Sequence, residues 1–317
     1  MNKNIEIIEK VIKGDKRSVS RLISLVESDG EITPFVFNAL KDKIWNSYRI
    51  GITGPPGAGK STLTNQLTRL LRKAGHKVGI IAVDPTSPFS GGALLGDRIR
   101  MTEIGNDKGV FIRSMATRGS LGGLSKKTND AADILSAAGY DHIIIETVGV
   151  GQSELDIANA ADTTIVVIVP ESGDSIQAMK AGLMEIADFY VINKSDRPGS
   201  ENLESALKTI LSLKISHQTI WSPDIVRTVA TENRGIESVL EAIWNHKKFL
   251  SVDNRLINRR KEHAALRIKE IVESVLRKNI WNDERNTRLH KALADILEGN
   301  VSPYQLANEI LSEFEIQ

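Results

Sequence analysis

One octapeptide constrains this chain more than any other feature: Gly54-Pro55-Pro56-Gly57-Ala58-Gly59-Lys60-Ser61, which satisfies G-x-x-x-x-G-K-[ST]. It lies between a β-branched run at residues 49–53 and a helical stretch at residues 62–72, the context that the pattern requires. Glycines let the backbone wrap a phosphate so that successive N–H groups converge on it, and the helix that follows adds its N-terminal dipole. The set running from Gly54 to Thr62 therefore reads as a phosphate cradle. In it Lys60 reaches the β- and γ-phosphates, and the Ser61 hydroxyl ligates Mg²⁺. A chain carrying this loop is committed to a strand entering it and a helix leaving it.

The remaining texture agrees. Runs at residues 49–53, 78–83, 110–113, 142–146, 163–169, 189–192 and 225–229 are too short for most helices and apolar on both faces, as strands covered on both sides must be. Helical stretches between them imply right-handed crossovers. The expected fold is a P-loop NTPase: one doubly wound α/β domain with a mainly parallel sheet of six or seven strands. Before it, Ile5, Ile8, Val11 and Ile12 recur at helical spacing; Gly14-Asp15 interrupts, Val19, Leu22, Ile23 and Val26 resume, and Asp29-Gly30 stops the pattern. After Gly235 the chain turns helical again, and Ser302-Pro303 is an N-cap followed by proline at the first helical position. Arg255, Arg259, Arg260, Lys261 and Glu262 read as the solvated face of a helix, with an interface as the alternative. The boundaries are drawn at 1–47 for an N-terminal helical extension, 48–250 for the α/β domain and 251–317 for a C-terminal helical segment.

Composition removes other classes. Forty-one Lys and Arg against 40 Asp and Glu leave a formal charge of +1, so no strong field draws the surface to nucleic acid or an acidic membrane. Without Cys, the chain has no disulfide scaffold, iron–sulfur cluster or thiolate zinc site, and its six His are scattered. The longest apolar runs fall far short of the roughly 20 residues that span a bilayer, and the first residues lack the apolar core of a signal peptide. A cytoplasmic protein without nucleic-acid or membrane partners is expected.

Three carboxylates sit where strands meet the phosphate loop. Asp84 follows the run 78–83, Asp97 lies in the loop 91–100, and Glu146 ends the run 142–146. In an open α/β sheet the carboxyl ends of strands line the ligand crevice, and a carboxylate there can hold Mg²⁺ directly or through water. Each alone reads equally well as a helix cap or a solvated loop acid. Glu146-Thr147-Val148-Gly149 is similar to the Asp-x-x-Gly switch of nucleotide hydrolases with Asp changed to Glu, so Gly149 would offer its N–H to the γ-phosphate. Further on, Asn193-Lys194-Ser195-Asp196 follows the run 189–192 and matches the Asn-Lys-x-Asp signature of guanine recognition. The Asp196 carboxylate can accept both the ring N–H and the exocyclic amino group of guanine, donors that adenine lacks on that edge; such sites reject the wrong ligand by about 10⁴ or more. Lys194 would pack along the base and Asn193 would brace the loop. Val229-Ala230-Thr231 resembles the Ser-Ala loop whose backbone N–H meets the guanine carbonyl, with Val229 in place of Ser. GTP and GDP are expected in preference to ATP.

These motifs, in this order, resemble the MeaB/ArgK family of P-loop GTPases, which includes chaperones of methylmalonyl-CoA mutase. The likeness runs from Gly14-Asp15-Lys16-Arg17 through the phosphate loop and Val83-Asp84-Pro85-Thr86-Ser87 to the strongly family-specific residues 91–101. It continues through Gly119-Ser120-Leu121-Gly122-Gly123-Leu124 and residues 146–154 to Asn193-Lys194-Ser195-Asp196. It implies a cytoplasmic homodimeric GTPase whose segment 251–317 is a dimerisation arm, with Ser61, Asp84, Asp97 and Glu146 around Mg²⁺. The implied partner is an adenosylcobalamin-dependent acyl-CoA mutase, methylmalonyl-CoA mutase foremost, whose cofactor loading and protection the nucleotide state gates. Residues 173–180 look like the family's additional switch, with Lys180 contacting the other switch loops; Ala178-Met179 departs from the usual pattern.

Hydrolysis needs a water in line with the γ-phosphate. Small GTPases place a glutamine directly after the switch glycine, where this chain has Val150; Gln152 comes two residues later and must be brought back by the loop. Slow intrinsic turnover, on the order of 10⁻⁴ to 10⁻² s⁻¹, is expected. Two rivals share the fold. A nickel metallochaperone GTPase would need clustered His or Cys. An ATPase or kinase acting with lysine, arginine or ornithine transport would conflict with the guanine signature.

Overall fold

The computed structural model describes residues 2–28, 32–84, 102–116, 123–147, 153–170, 182–214 and 221–315. Among these residues seven strands form: β1 (Tyr48–Thr53), β2 (Val78–Asp84), β3 (Val110–Ala116), β4 (His142–Thr147), β5 (Thr163–Ile168), β6 (Phe189–Ile192) and β7 (Ile225–Arg227). They make one sheet in the order β3-β2-β4-β1-β5-β6-β7, with every pairing parallel. Every residue of β1, β4, β5 and β6 is buried, which is why these segments are apolar without alternation. The chain steps outward from β1 to β2 and β3, returns to β4, then crosses to β5 on the other side. The topological switch therefore falls beside β1, the position where open α/β sheets bind ligands.

Among the described residues three apolar clusters cover the sheet. On one face, α1 (Asn2–Ile12), α2 (Lys16–Glu27), α3 (Thr33–Leu40) and the later helix α5 (Gly123–Ala137) bury Val11, Leu22, Ile23, Val36, Leu40 and Leu135 against Ile81, Ile143 and Ile145. The N-terminal helices thus share the sheet's own core. Asp15 starts α2 by accepting the Ser18 N–H at 2.8 Å, the cap expected of Asp before a helix. On the other face, Leu63, Leu67 and Leu71 of α4 (Lys60–Lys73) pack with Ile236, Val239 and Ile243 of α7 (Ile236–Leu250) against Ile52, Ile80 and Ile165. Leu203, Leu207 and Leu211 of α6 (Ser200–Lys214) close over Val166, Tyr190 and Ile192.

The chain divides into two compact units, Met1–His263 and Ala264–Gln317, and the division falls inside α8 (Arg255–Ile280). In the first unit, the opening turns of α8 depart from a solvated charged face at Arg259 and Arg260, while Lys261 and Glu262 are exposed as expected. Arg260 grips Asp162 with Nε at 2.8 Å and Nη2 at 2.7 Å, and donates to the carbonyls of Trp45 and Ser47. Arg259 holds both oxygens of Asp188 at 2.8 and 2.9 Å. In the second unit, α9 (Asp283–Leu297) is capped by Asn282 and α10 (Pro303–Glu315) by Ser302, and Arg288 pairs with Glu309 at 2.7 Å. Ile268, Val272, Val275, Leu297 and Tyr304 of this unit are exposed.

Candidate functional site

The phosphate loop leaves the carboxyl end of β1 and enters α4. Two of its glycines are obligatory. Gly54 has φ 136°, and a Cβ there would lie 2.0 Å from the Val167 carbonyl oxygen. Gly59 has φ 88°, and a Cβ would lie 2.2 Å from Asn193 Nδ2. Between them, Pro55, Pro56 and Gly57 carry the turn, and Ala58 is buried with its N–H on the Pro55 carbonyl at 3.3 Å. Lys60 is only 5% exposed, and its ammonium donates to the carbonyls of Gly54 and Pro55 at 2.7 and 2.8 Å. A cation is thereby held inside the loop, at the N-terminus of a helix whose first N–H groups face the same space.

Sheet register brings the predicted carboxylate to this loop. Ile52 pairs with Glu146, so Glu146 lies one strand over from the residues just before Gly54. Its side chain is buried, and the Ser61 hydroxyl donates to Oε1 of Glu146 in a short hydrogen bond. Beside it the Thr147 hydroxyl donates to Thr53 Oγ1 at 3.0 Å. Val83 pairs with Thr147, which sets the backbone of Asp84, the last residue of β2, at the same edge; the Asp84 side chain lies outside the described part. Asp97, Gly149, Gln152 and Lys180 lie outside the described residues.

The buried side chain of Asn193 joins the phosphate loop to the second signature. Asn193, buried at the end of β6, donates from Nδ2 to the Ala58 carbonyl at 2.8 Å. Its Oδ1 accepts the Thr228 hydroxyl at 3.0 Å and the Ala230 N–H at 3.1 Å. Gln66 of α4 completes the link by donating to the Ala230 carbonyl at 3.3 Å. The structure thus brings Asn193, Ala230 and the phosphate loop together, with buried Val229 beside them; Lys194 is half-buried and Asp196 and Thr231 are exposed. Lys194 has φ 54°, the left-handed conformation that turns the loop. Thr228 and Gln66 escaped the sequence reading. Val229 stands where the Ser-Ala loop has its hydroxyl, and the hydroxyl of Thr228, the residue before, donates to Asn193.

Among the described residues no group of three His, Cys, Asp or Glu could hold a metal. The Ser61 hydroxyl and Glu146 carboxylate are hard oxygen donors, and they fit Mg²⁺, which takes few protein ligands and fills its shell with water and phosphate oxygens.

The comparisons with known proteins decide the family. Residues 19–285 match the model described as methylmalonyl Co-A mutase-associated GTPase MeaB. The chain belongs to this family. A Pyrococcus abyssi protein named provisionally as a GTPase is 47% identical over 310 residues, spanning 97% of this chain and 96% of that one. The Escherichia coli protein named GTPase ArgK is 34% identical over 320 residues, covering 98% and 96%. A solved structure titled LAO/AO transport system kinase superposes with a TM-score of 0.74 at 30% identity, over 100% of this chain and 99% of that one. The MeaB-family chain is therefore a P-loop α/β protein of GTPase lineage, and guanine-nucleotide binding goes with that family. Among its described residues no helix is long and apolar enough to cross a membrane.

Proposed function

We propose that this protein binds GTP with Mg²⁺, hydrolyses it slowly, and uses its nucleotide state to gate the loading and protection of adenosylcobalamin on an acyl-CoA mutase, methylmalonyl-CoA mutase foremost. The bridge that Asn193 makes between the Ala58 carbonyl and the Thr228–Ala230 segment carries the nucleotide part, because it couples a phosphate cradle to a guanine loop through one buried amide. In this reading Gly54, Pro55, Pro56, Gly57, Ala58, Gly59, Lys60, Ser61 and Thr62 hold the phosphates. Lys60 meets the charge that grows between the β- and γ-phosphates as the bond breaks. Asp196 accepts the two guanine donors, Lys194 covers the base, and Val229, Ala230 and Thr231 line its far edge. Mg²⁺ would be held by Ser61, with Asp84, Asp97 and Glu146 around its shell, and would neutralise phosphate charge when bound. Gly149, Gln152 and Lys180 are proposed for γ-phosphate sensing, water positioning and the additional switch.

The matched model's description, which names a mutase-associated GTPase, supports the partner. The exposed Ile268, Val272 and Val275, which follow one helix stripe, support a homodimer formed through the second unit, and a solution mass of one chain would contradict it. Cytoplasmic location goes with the same reading. A second reading, an ATPase or kinase of amino-acid transport, draws on the solved structure's title. Asp196→Asn separates them: it should weaken GTP binding at least tenfold and admit xanthosine triphosphate, since an amide complements a keto group where a carboxylate complements an amine. Unchanged GTP affinity in this variant, with tight ATP binding, would favour the second reading.

A further inference from the structure

The loop that carries Asp196 has an anchor outside its signature. Arg227, the last residue of β7, pairs in register with Ile192, the last residue of β6. Its Nη2 donates to the Ser195 carbonyl at 3.3 Å and to the Ser200 hydroxyl at 2.8 Å. Ser200 is buried and opens α6, so one guanidinium ties together the two ends of the turn that contains Asp196. Glu204, one turn into α6, stands 3.7 Å from Arg227 Nη1 as an ion-pair partner.

The Ser195 carbonyl belongs to the peptide unit that joins Ser195 to Asp196. Because that unit is planar, fixing its oxygen fixes the direction in which the Asp196 Cα leaves it. The preceding N–H of Ser195 is also held, by the Thr228 carbonyl at 3.0 Å. Both faces of the backbone before Asp196 are therefore gripped from β7 and the residue after it, while Asp196 itself is exposed. Guanine presents two donors to a carboxylate, and both are accepted only if its plane is aligned with the base. A carboxylate that swings still accepts one.

We propose that Arg227 is a positioning residue that sets guanine specificity, by holding the Ser195–Asp196 peptide so that both Asp196 oxygens meet the base at once. The inference rests on the guanine reading of Asp196 and adds to it the device that aims the carboxylate. Hypoxanthine keeps the ring N–H of guanine but lacks the exocyclic amine, so the comparison of GDP with IDP reads the second hydrogen bond alone.

The test measures GDP and IDP affinity on the full chain for wild type, Arg227→Ala and Arg227→Lys, with Asp196→Asn alongside. Arg227→Ala should weaken GDP about tenfold and IDP about twofold or less, bringing the two affinities close together, because one charge-assisted hydrogen bond depends on alignment. Arg227→Lys should restore part of the preference, since one ammonium can reach Ser195 or Ser200 but does not reproduce the fork. Equal weakening of GDP and IDP, or an unchanged ratio, would overturn the inference and leave Arg227 a plain support of the fold. If Arg227→Ala does not fold, Ser200→Ala removes one of the two anchors and should lower the GDP-to-IDP ratio in the same direction; an unchanged ratio there overturns the inference equally. Asp196→Asn that binds GDP like wild type would show that the guanine reading itself has failed. Loss of GDP in Asp196→Asn with an intact ratio in Arg227→Ala would remove only the role of Arg227.

Discussion

Gly59 and Asn193 stand 134 positions apart in the chain, and each fixes what the other can be. An alanine at position 59 would have to hold φ near 88° and place its methyl 2.2 Å from the amide nitrogen of Asn193. The left-handed backbone alone costs about 1–2 kcal/mol, and moving Asn193 gives up its bonds to Ala58, Thr228 and Ala230. Gly59→Ala should therefore lower guanine-nucleotide affinity at least tenfold, measured by displacement of a fluorescent GDP. Affinity equal to wild type would show that the bridge is dispensable. The signature residues were legible because their chemistry is local: a glycine turn, a lysine, a hydroxyl, an Asn and an Asp at fixed offsets. The bridge was not, since Ala58, Asn193 and Thr228 meet only after the sheet has formed. The same holds for the hydrogen bond between Ser61 and Glu146, which depends on the register of β1 against β4.

At the scale of elements, strands were easy to read because burial on both faces leaves no alternation to confuse them. Edges were less so: β3 runs on to Ala116, beyond the apolar run, and β7 stops at Arg227, before it ends. At Arg259 and Arg260, in the first turns of α8, the reading failed for a clearer reason. Helical periodicity marks Arg259 and Arg260 as polar, yet their carboxylate partners lie 71 and 98 residues earlier, at the amino ends of β6 and β5. Asp162 is 2% exposed and also accepts the N–H of Arg49, the second residue of β1, at 2.9 Å. Arg260→Ala would leave that buried carboxylate without its main counter-charge, a loss of about 3–5 kcal/mol. Chemical denaturation should show the drop; a change under about 1 kcal/mol would mean that the pair acts as an exposed one.

The whole molecule carries buried histidines that make its stability depend on pH. Burial pushes His142 and His246 down to about 4, with neighbouring His76 and Lys247 adding to the shift at His142 and Asp188 opposing it at His246. In the unfolded chain a histidine titrates near 6.5. Between about pH 6.5 and 4 the unfolded chain therefore binds protons that the native chain refuses, so stability is full above that window and falls as pH drops through it. The urea midpoint should be lower at pH 5 than at pH 7.5, and a midpoint that stays level would contradict the neutral burial of both side chains. Function at this scale rests on the family and, in the proposed reading, on the phosphate loop after β1 and the loops after β6 and β7 that Asn193 joins. The gating claim is tested most directly by GTP turnover, with ATP as control, before and after adding methylmalonyl-CoA mutase. We predict GTP turnover on the order of 10⁻⁴ to 10⁻² s⁻¹ alone, rising with the mutase, and negligible ATP turnover. A basal rate above about 1 s⁻¹, or GTP turnover indifferent to the mutase, would contradict the account.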